Sequence, residues 1–158
     1  MMVQMLKNLT SILDKASAYA AAKGIDPATM IESRLAPDMF NLARQVQSAA
    51  DAAKTGAARL SGEAPPSHPD TETSFDELKG RIAKVIAYVE GFTPAQINAG
   101  GDRSITIPTR GEPHVFKDGG EYLTQFVIPN FFFHVTTAYN LVRQQGVEIG
   151  KLTYLTGV

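Results

Sequence analysis

An all-α fold, a four-helix bundle with a small hairpin inserted before its last long helix, is predicted by three features of the sequence. Four long segments carry apolar residues at helical spacing, a proline-rich polar stretch separates the second from the third, and only one short region alternates with a period of two. The composition agrees. A chain of 158 residues, 44% hydrophobic and 20% charged, has the size and balance of one globular domain, and residues 1–158 are read as that domain.

The first long helix follows from Val3, Met5, Leu6, Leu9, Ile12, Leu13, Ala16, Tyr19 and Ala20, a stripe of period 3.6 that Gly24 ends. Asp26 and Pro27 then open a short helix running to about Leu35. The motif Ala36-Pro37-Asp38 opens the second long helix, placed from Pro37 to Leu60 and rich in alanine, which favours helix and lets neighbours approach. Ser61 to Thr73 holds Pro65, Pro66 and Pro69 and is read as a surface connection. Ser74-Phe75-Asp76-Glu77 is a capping box ahead of the third helix, whose stripe is Leu78, Ile82, Val85, Ile86 and Val89 and whose end is Gly91. Thr93-Pro94 opens one more helical turn. Ser104-Ile105-Thr106-Ile107 alternates and is expected to pair with His114-Val115-Phe116 as a hairpin. The fourth long helix is placed from Glu121 to Gln145, with a kink or restart at Pro129, which has no amide hydrogen to donate. The tail from Val147 to Val158 is apolar enough to pack on the bundle or on a second subunit.

Several functions are excluded or made improbable by composition. Net charge is −1 with no basic block, so no nucleic-acid partner is expected. No apolar run approaches the roughly 20 residues of a membrane-spanning helix. Ala16-Ser17-Ala18 has the form of a signal-peptidase site, but Asn8, Thr10, Ser11, Asp14 and Lys15 interrupt the apolar core that a secretory segment needs. The absence of cysteine removes disulfides, thiolate nucleophiles and cysteine-bound zinc, and fits a cytoplasmic location.

The informative residues are polar ones on apolar stripes. Asn130 and His134 lie four apart on the fourth helix, share a face with Val127, Phe131, Ala138 and Leu141, and are expected to point into the bundle. Gln47 stands among Phe40, Ala43 and Ala50 on the second helix, whereas Gln45 has the more polar neighbours Asn41 and Ser48 and is the weaker candidate. Such a trio forms either a satisfied hydrogen-bond network or a pocket for water, a small molecule or a metal. One imidazole with two neutral carboxamides is a poor set for zinc or nickel, so no cofactor is expected. Arg44, near Asp38, either receives an anionic ligand at the pocket mouth or makes a surface ion pair. Tyr139 is a further candidate beside the pocket. His68 is read as a solvated loop histidine and His114 as decoration of the hairpin. The run Phe131-Phe132-Phe133 covers nearly every direction of its helix and is read as core packing or as contact with another helix or subunit.

Taken together, Arg34-Leu35-Ala36-Pro37-Asp38-Met39-Phe40, Ala43-Arg44-Gln45-Val46-Gln47, Asp70-Thr71-Glu72-Thr73-Ser74-Phe75, Pro129 to Thr137 and Gly146-Val147-Glu148-Ile149-Gly150 resemble the DUF1993 branch of the DinB/YfiT-like superfamily. The resemblance implies an up-down-down-up bundle. Metal-bearing members of that superfamily take one histidine from the second helix and an HxxxH pair from the fourth. His134 matches the last of these, Asn130 stands at the first of the pair, and Gln47 falls near the second-helix position. The resemblance therefore implies a degenerate metal site in which His134 is the only retained ligand. The reading that follows is a cytoplasmic, homodimeric, non-catalytic accessory protein that binds a small molecule or acts in stress. The alternative it carries is a thiol transferase or hydrolase-like enzyme that uses His134 as base or lone metal anchor, with Tyr139 or Arg44 assisting.

Overall fold

The computed structural model describes residues 1–158. Four long helices form the bundle: α1 (Met2–Lys23), α3 (Leu42–Ser61), α4 (Phe75–Glu90) and α7 (Ile128–Gln144). Short helices α2 (Pro27–Ile31), α5 (Pro94–Asn98) and α6 (Gly119–Tyr122) lie in the connections, and α8 (Lys151–Thr156) follows the last long helix. Strands β1 (Ile105–Ile107) and β2 (His114–Phe116) form the expected antiparallel hairpin, with Ile105 opposite Phe116 and Ile107 opposite His114. No helix is long and apolar enough to cross a membrane.

Side-chain pairs fix the direction of each long helix. Lys7 meets Glu90 at 3.0 Å and Asp14 meets Lys79 at 2.7 Å, so α1 and α4 run antiparallel. Gln47 reaches Glu72 just ahead of α4, Asp51 reaches Arg81, and Glu63 reaches Tyr88, so α3 and α4 run parallel. Gln45 bonds His134 while Gly56 faces Val127, so α3 and α7 run antiparallel. The order is up-down-down-up, as the resemblance implies. The parallel α3–α4 pair needs a long return, which the proline-rich segment from residue 62 to 74 provides.

The start of α3 differs from expectation. Residues 34–40 form a turn, and the helix begins only at Leu42, where the side chain of Asn41 accepts a bond from the amide of Arg44 at 2.9 Å. Ala36-Pro37-Asp38 thus opens no helix, and α2 stops at Ile31 instead of Leu35. At the other end of α1 the expectation holds: Gly24 adopts a left-handed φ of 64° and its amide caps the helix. The capping box at Ser74 and Glu77 forms as read.

The restart expected at Pro129 takes a specific form. Residues Leu123–Val127 make a π-helical turn between α6 and α7, and the amide of Ile128 bonds back to the carbonyl of Leu123. Widening the turn here accommodates a residue that cannot donate to the carbonyl four back. Gly56 lets this turn sit close to α3, since a Cβ at Gly56 would lie 2.6 Å from Val127 Cγ1. Gly56→Ala is therefore expected to lower stability. The overpacking penalty of about 1–3 kcal/mol exceeds the helix propensity gained, about 1 kcal/mol, and urea denaturation measures the difference.

The core is one cluster drawn from all four long helices, with Leu6, Leu9, Ile12 and Leu13 of α1, Val46 and Ala50 of α3, Ile82 and Val85 of α4, and Phe131, Val135 and Leu141 of α7. A smaller cluster joins the hairpin to the π turn through Ile105, Ile107, Phe116, Tyr122 and Val127. The C-terminal tail packs on the bundle: Val147 and Ile149 are buried, and Asn8 donates to the carbonyl of Tyr154 at 3.0 Å.

Candidate functional site

His134 is nearly buried on α7, and its Nδ1 lies 2.7 Å from Oε1 of Gln45, a residue only 1% exposed. The amide of Gln45 is oriented by a second bond, from Nε2 to the carbonyl of Phe40 at 3.2 Å. That leaves Oε1 as acceptor, so Nδ1 of His134 carries the hydrogen and Nε2 holds the lone pair. Nε2 has no protein partner and is not among the buried unpartnered atoms, so it keeps contact with solvent. Burial, and then the charge of Arg44, hold the imidazole below its ordinary pKa of 6.5. The ring is neutral near neutral pH. Phe40 stacks on it at 6.5 Å, and the ring of Phe133 meets it edge-on at 5.3 Å.

The expected partner of His134 was Gln47; the observed partner is Gln45. Two residues apart on a helix are turned by about 200°, so the two glutamines point to nearly opposite sides. The reading of Gln47 depended on Phe40 being a helical neighbour, and Phe40 lies ahead of the helix. Gln47 Nε2 donates instead to Glu72 Oε2 at 3.0 Å, and its Oε1 accepts from Arg44 at 3.4 Å. Arg44 forms an ion pair with Asp70, not Asp38, and lies over the ring of Phe40 at 5.5 Å. Tyr139 is also elsewhere. It packs edge-on against Tyr154 at 5.7 Å and lines a separate depression with Thr136, Asn140 and Lys151.

His134 and Asn130 do share a cleft. It holds about 220 Å³ between α3 and α7, and its α3 wall is made by Ser48, Asp51, Thr55 and Arg59. Tyr122 and Phe126, around the π turn, close its far end. Those four α3 residues follow a 3-4-4 spacing, a legible polar stripe on an alanine-rich helix. It does not stand out as a polar residue on an apolar face does, because it is itself the polar face of the helix. Arg59 has one side-chain partner, the hydroxyl of Tyr122 at 3.3 Å.

A charge network centred on the buried Arg81 supports this wall from behind. Arg81 of α4, 3% exposed, donates to Asp51 Oδ1 at 3.0 Å, to Glu72 Oε1 at 3.1 Å and to the carbonyl of Pro69 at 3.0 Å, and pairs with Asp70 at 2.9 Å. Lys54, also buried, pairs with the same Asp51 Oδ1 at 2.7 Å. Arg44, Lys54 and Arg81 thus face Asp51, Asp70 and Glu72, three charges of each sign. Burial pushes the Glu72 carboxyl up, but a bond from its own backbone amide and contacts from Arg81 and Gln47 outweigh this and hold it low. The network joins the proline-rich crossing to both α3 and α4. His68 lies half-buried beside the network and lines a surface depression with Glu72 and Arg81; its Nδ1 is buried without a partner, and desolvation, then the charges of Lys54 and Arg81, lower its pKa.

The fold is that of a DinB-type helical bundle. The structure is similar to the crystal structure of a DinB family member protein from Shewanella denitrificans at 1.83 Å resolution, with a TM-score of 0.86 and 46% identity, covering 98% of this chain and 86% of that one. The family described as domain of unknown function DUF1993 matches residues 1–155, and the chain belongs to it. No curated protein matches.

Proposed function

We propose that the protein is a small-molecule-binding member of this family, an accessory protein whose cleft descends from a metal site and works without a metal. The observation that carries the reading is the Gln45-anchored His134, which turns an uncommitted Nε2 lone pair toward a cleft it shares with Asn130. A solvent-accessible lone pair that no protein group engages is free to accept from a ligand or from water. The donor set supports metal-free binding. The cleft that His134 lines also carries the carboxamide of Asn130, the hydroxyl of Ser48 and Asp51, whose Oδ1 already neutralises Lys54 and Arg81. Such a set fits a divalent transition metal poorly.

The test is a soluble-fragment titration followed by side-chain NMR, with elemental analysis of protein purified without an affinity tag. The expected result is that bound fragments perturb His134 and Asn130 together, with substoichiometric zinc and nickel. Stoichiometric metal would overturn the reading. An exposed imidazole lone pair is also what a general base needs, which favours histidine-based catalysis as the second reading. In that case His134→Gln would abolish turnover of a bound substrate while sparing its binding.

A further inference from the structure

We propose that the α3–α7 cleft takes a small dipolar ligand, with its ammonium group at Asp51 and its carboxylate at Arg59. This rests on the binding reading above and names the ligand class. Asp51, Thr55 and Arg59 succeed one another at intervals of four along the α3 wall. At about 1.5 Å rise per residue their outer members stand about 12 Å apart along the axis. Helical side chains lean toward the N-terminus, Asp51 as well as Arg59, and the longer stem of Arg59 carries its guanidinium part of the way back toward Asp51.

Each end keeps polar atoms that no charged protein group engages. Asp51 spends Oδ1 on Lys54 and Arg81, while Oδ2 accepts no hydrogen bond and is not buried. Arg59 is half-buried in the cleft wall, and its one side-chain partner is a neutral phenol. A guanidinium placed this way presents paired donors to a carboxylate. The neighbours agree with the polarity. His134 and Asn130, toward the Asp51 end of the antiparallel pair, offer an imidazole lone pair and a carboxamide oxygen to an ammonium group. Tyr122 and Phe126 lie stacked at 6.0 Å beside Arg59 and give the ligand's methylene groups an apolar wall. A cleft of about 220 Å³ suits an amino acid or a dipeptide in size. A ligand with one charge leaves one end of the cleft unmatched, which is the basis of the selectivity.

Calorimetric titration of the full chain with glycylglycine and γ-aminobutyrate tests the proposal, against N-acetyl-γ-aminobutyrate, γ-aminobutyramide and butanol. The dipolar probes are expected to bind at least about tenfold more tightly than either singly charged analogue, since each end contributes a charge-assisted hydrogen bond. Arg59→Gln is expected to erase the preference for γ-aminobutyrate over γ-aminobutyramide, with a melting curve confirming that the variant folds. Equal binding of dipolar and singly charged probes, or a preference that survives Arg59→Gln, would overturn the proposal. Perturbation of His134 and Asn130 by butanol but by neither dipolar probe would sink the ligand class and leave the cleft reading standing. Silence from every probe would sink both.

Discussion

Arg81→Met is expected to unfold about 10 °C below the parent chain. Removing one partner of a buried ion pair typically costs about 3–5 kcal/mol, because the remaining charges stay desolvated. Here three acids lose one guanidinium. Asp51 and Asp70 are each about a third exposed (35% and 33%), so water recovers part of the loss. A loss of about 3 kcal/mol is therefore the expectation, and a chain of this size shifts by about 2–4 °C for each kcal/mol. The loop should respond as well. Arg81 ties the carbonyl of Pro69 and the carboxylates of Asp70 and Glu72 to α4, so its loss should expose the crossing from residue 62 to 74 to limited proteolysis. Thermal melting and protease mapping check the two effects. A change under about 1 kcal/mol would mean the network is solvated and incidental.

Gln45→Glu is expected to reverse the pH response of His134. In the parent chain burial lowers the imidazole pKa below 6.5, so the unfolded chain binds more protons than the folded one once pH drops through that value. Stability then rises with pH across this window and is lost on acidification, to the extent set by the shift. His68, lowered in the same direction, adds to the slope. A carboxylate at position 45 would accept from Nδ1–H and stabilise the imidazolium, raising the folded pKa. The sign changes: the stabilisation is present in acid and is lost as pH rises through the raised value. Denaturation curves at a series of pH values, with His68→Gln as background, separate the two histidines. The same acid-labile slope in parent and variant would contradict the Gln45–His134 bond.

The bundle was legible in the sequence because its signals are local. The apolar stripes of α1 and α4, the capping box at Ser74 and the alternation around Ile105 each depend on neighbouring residues alone. The site was legible only in part. Asn130 and His134 share a face for a local reason, and they do line one cleft. Their partner on α3 depends on which face of that helix is apolar, and that reading depends on which residues belong to the helix. A start placed at Pro37 instead of Leu42 makes Phe40 a false helical neighbour and favours Gln47 over Gln45. The Arg81 network depends on how the proline-rich crossing folds back over α3 and α4. Asp70 and Glu72 are visible there as acids, but nothing local marks Arg81 as their buried partner. The charge of a loop acid is readable from sequence; its burial is a tertiary fact.

The central claim is that Gln45 fixes His134 as a neutral, Nδ1-protonated imidazole with Nε2 open to the cleft. A long-range proton–nitrogen correlation spectrum of His134, recorded through a pH titration, tests it most directly. The account predicts the Nδ1–H tautomer and a midpoint below the ordinary imidazole value of 6.5. An Nε2–H tautomer, or a midpoint at or above that value, would contradict it.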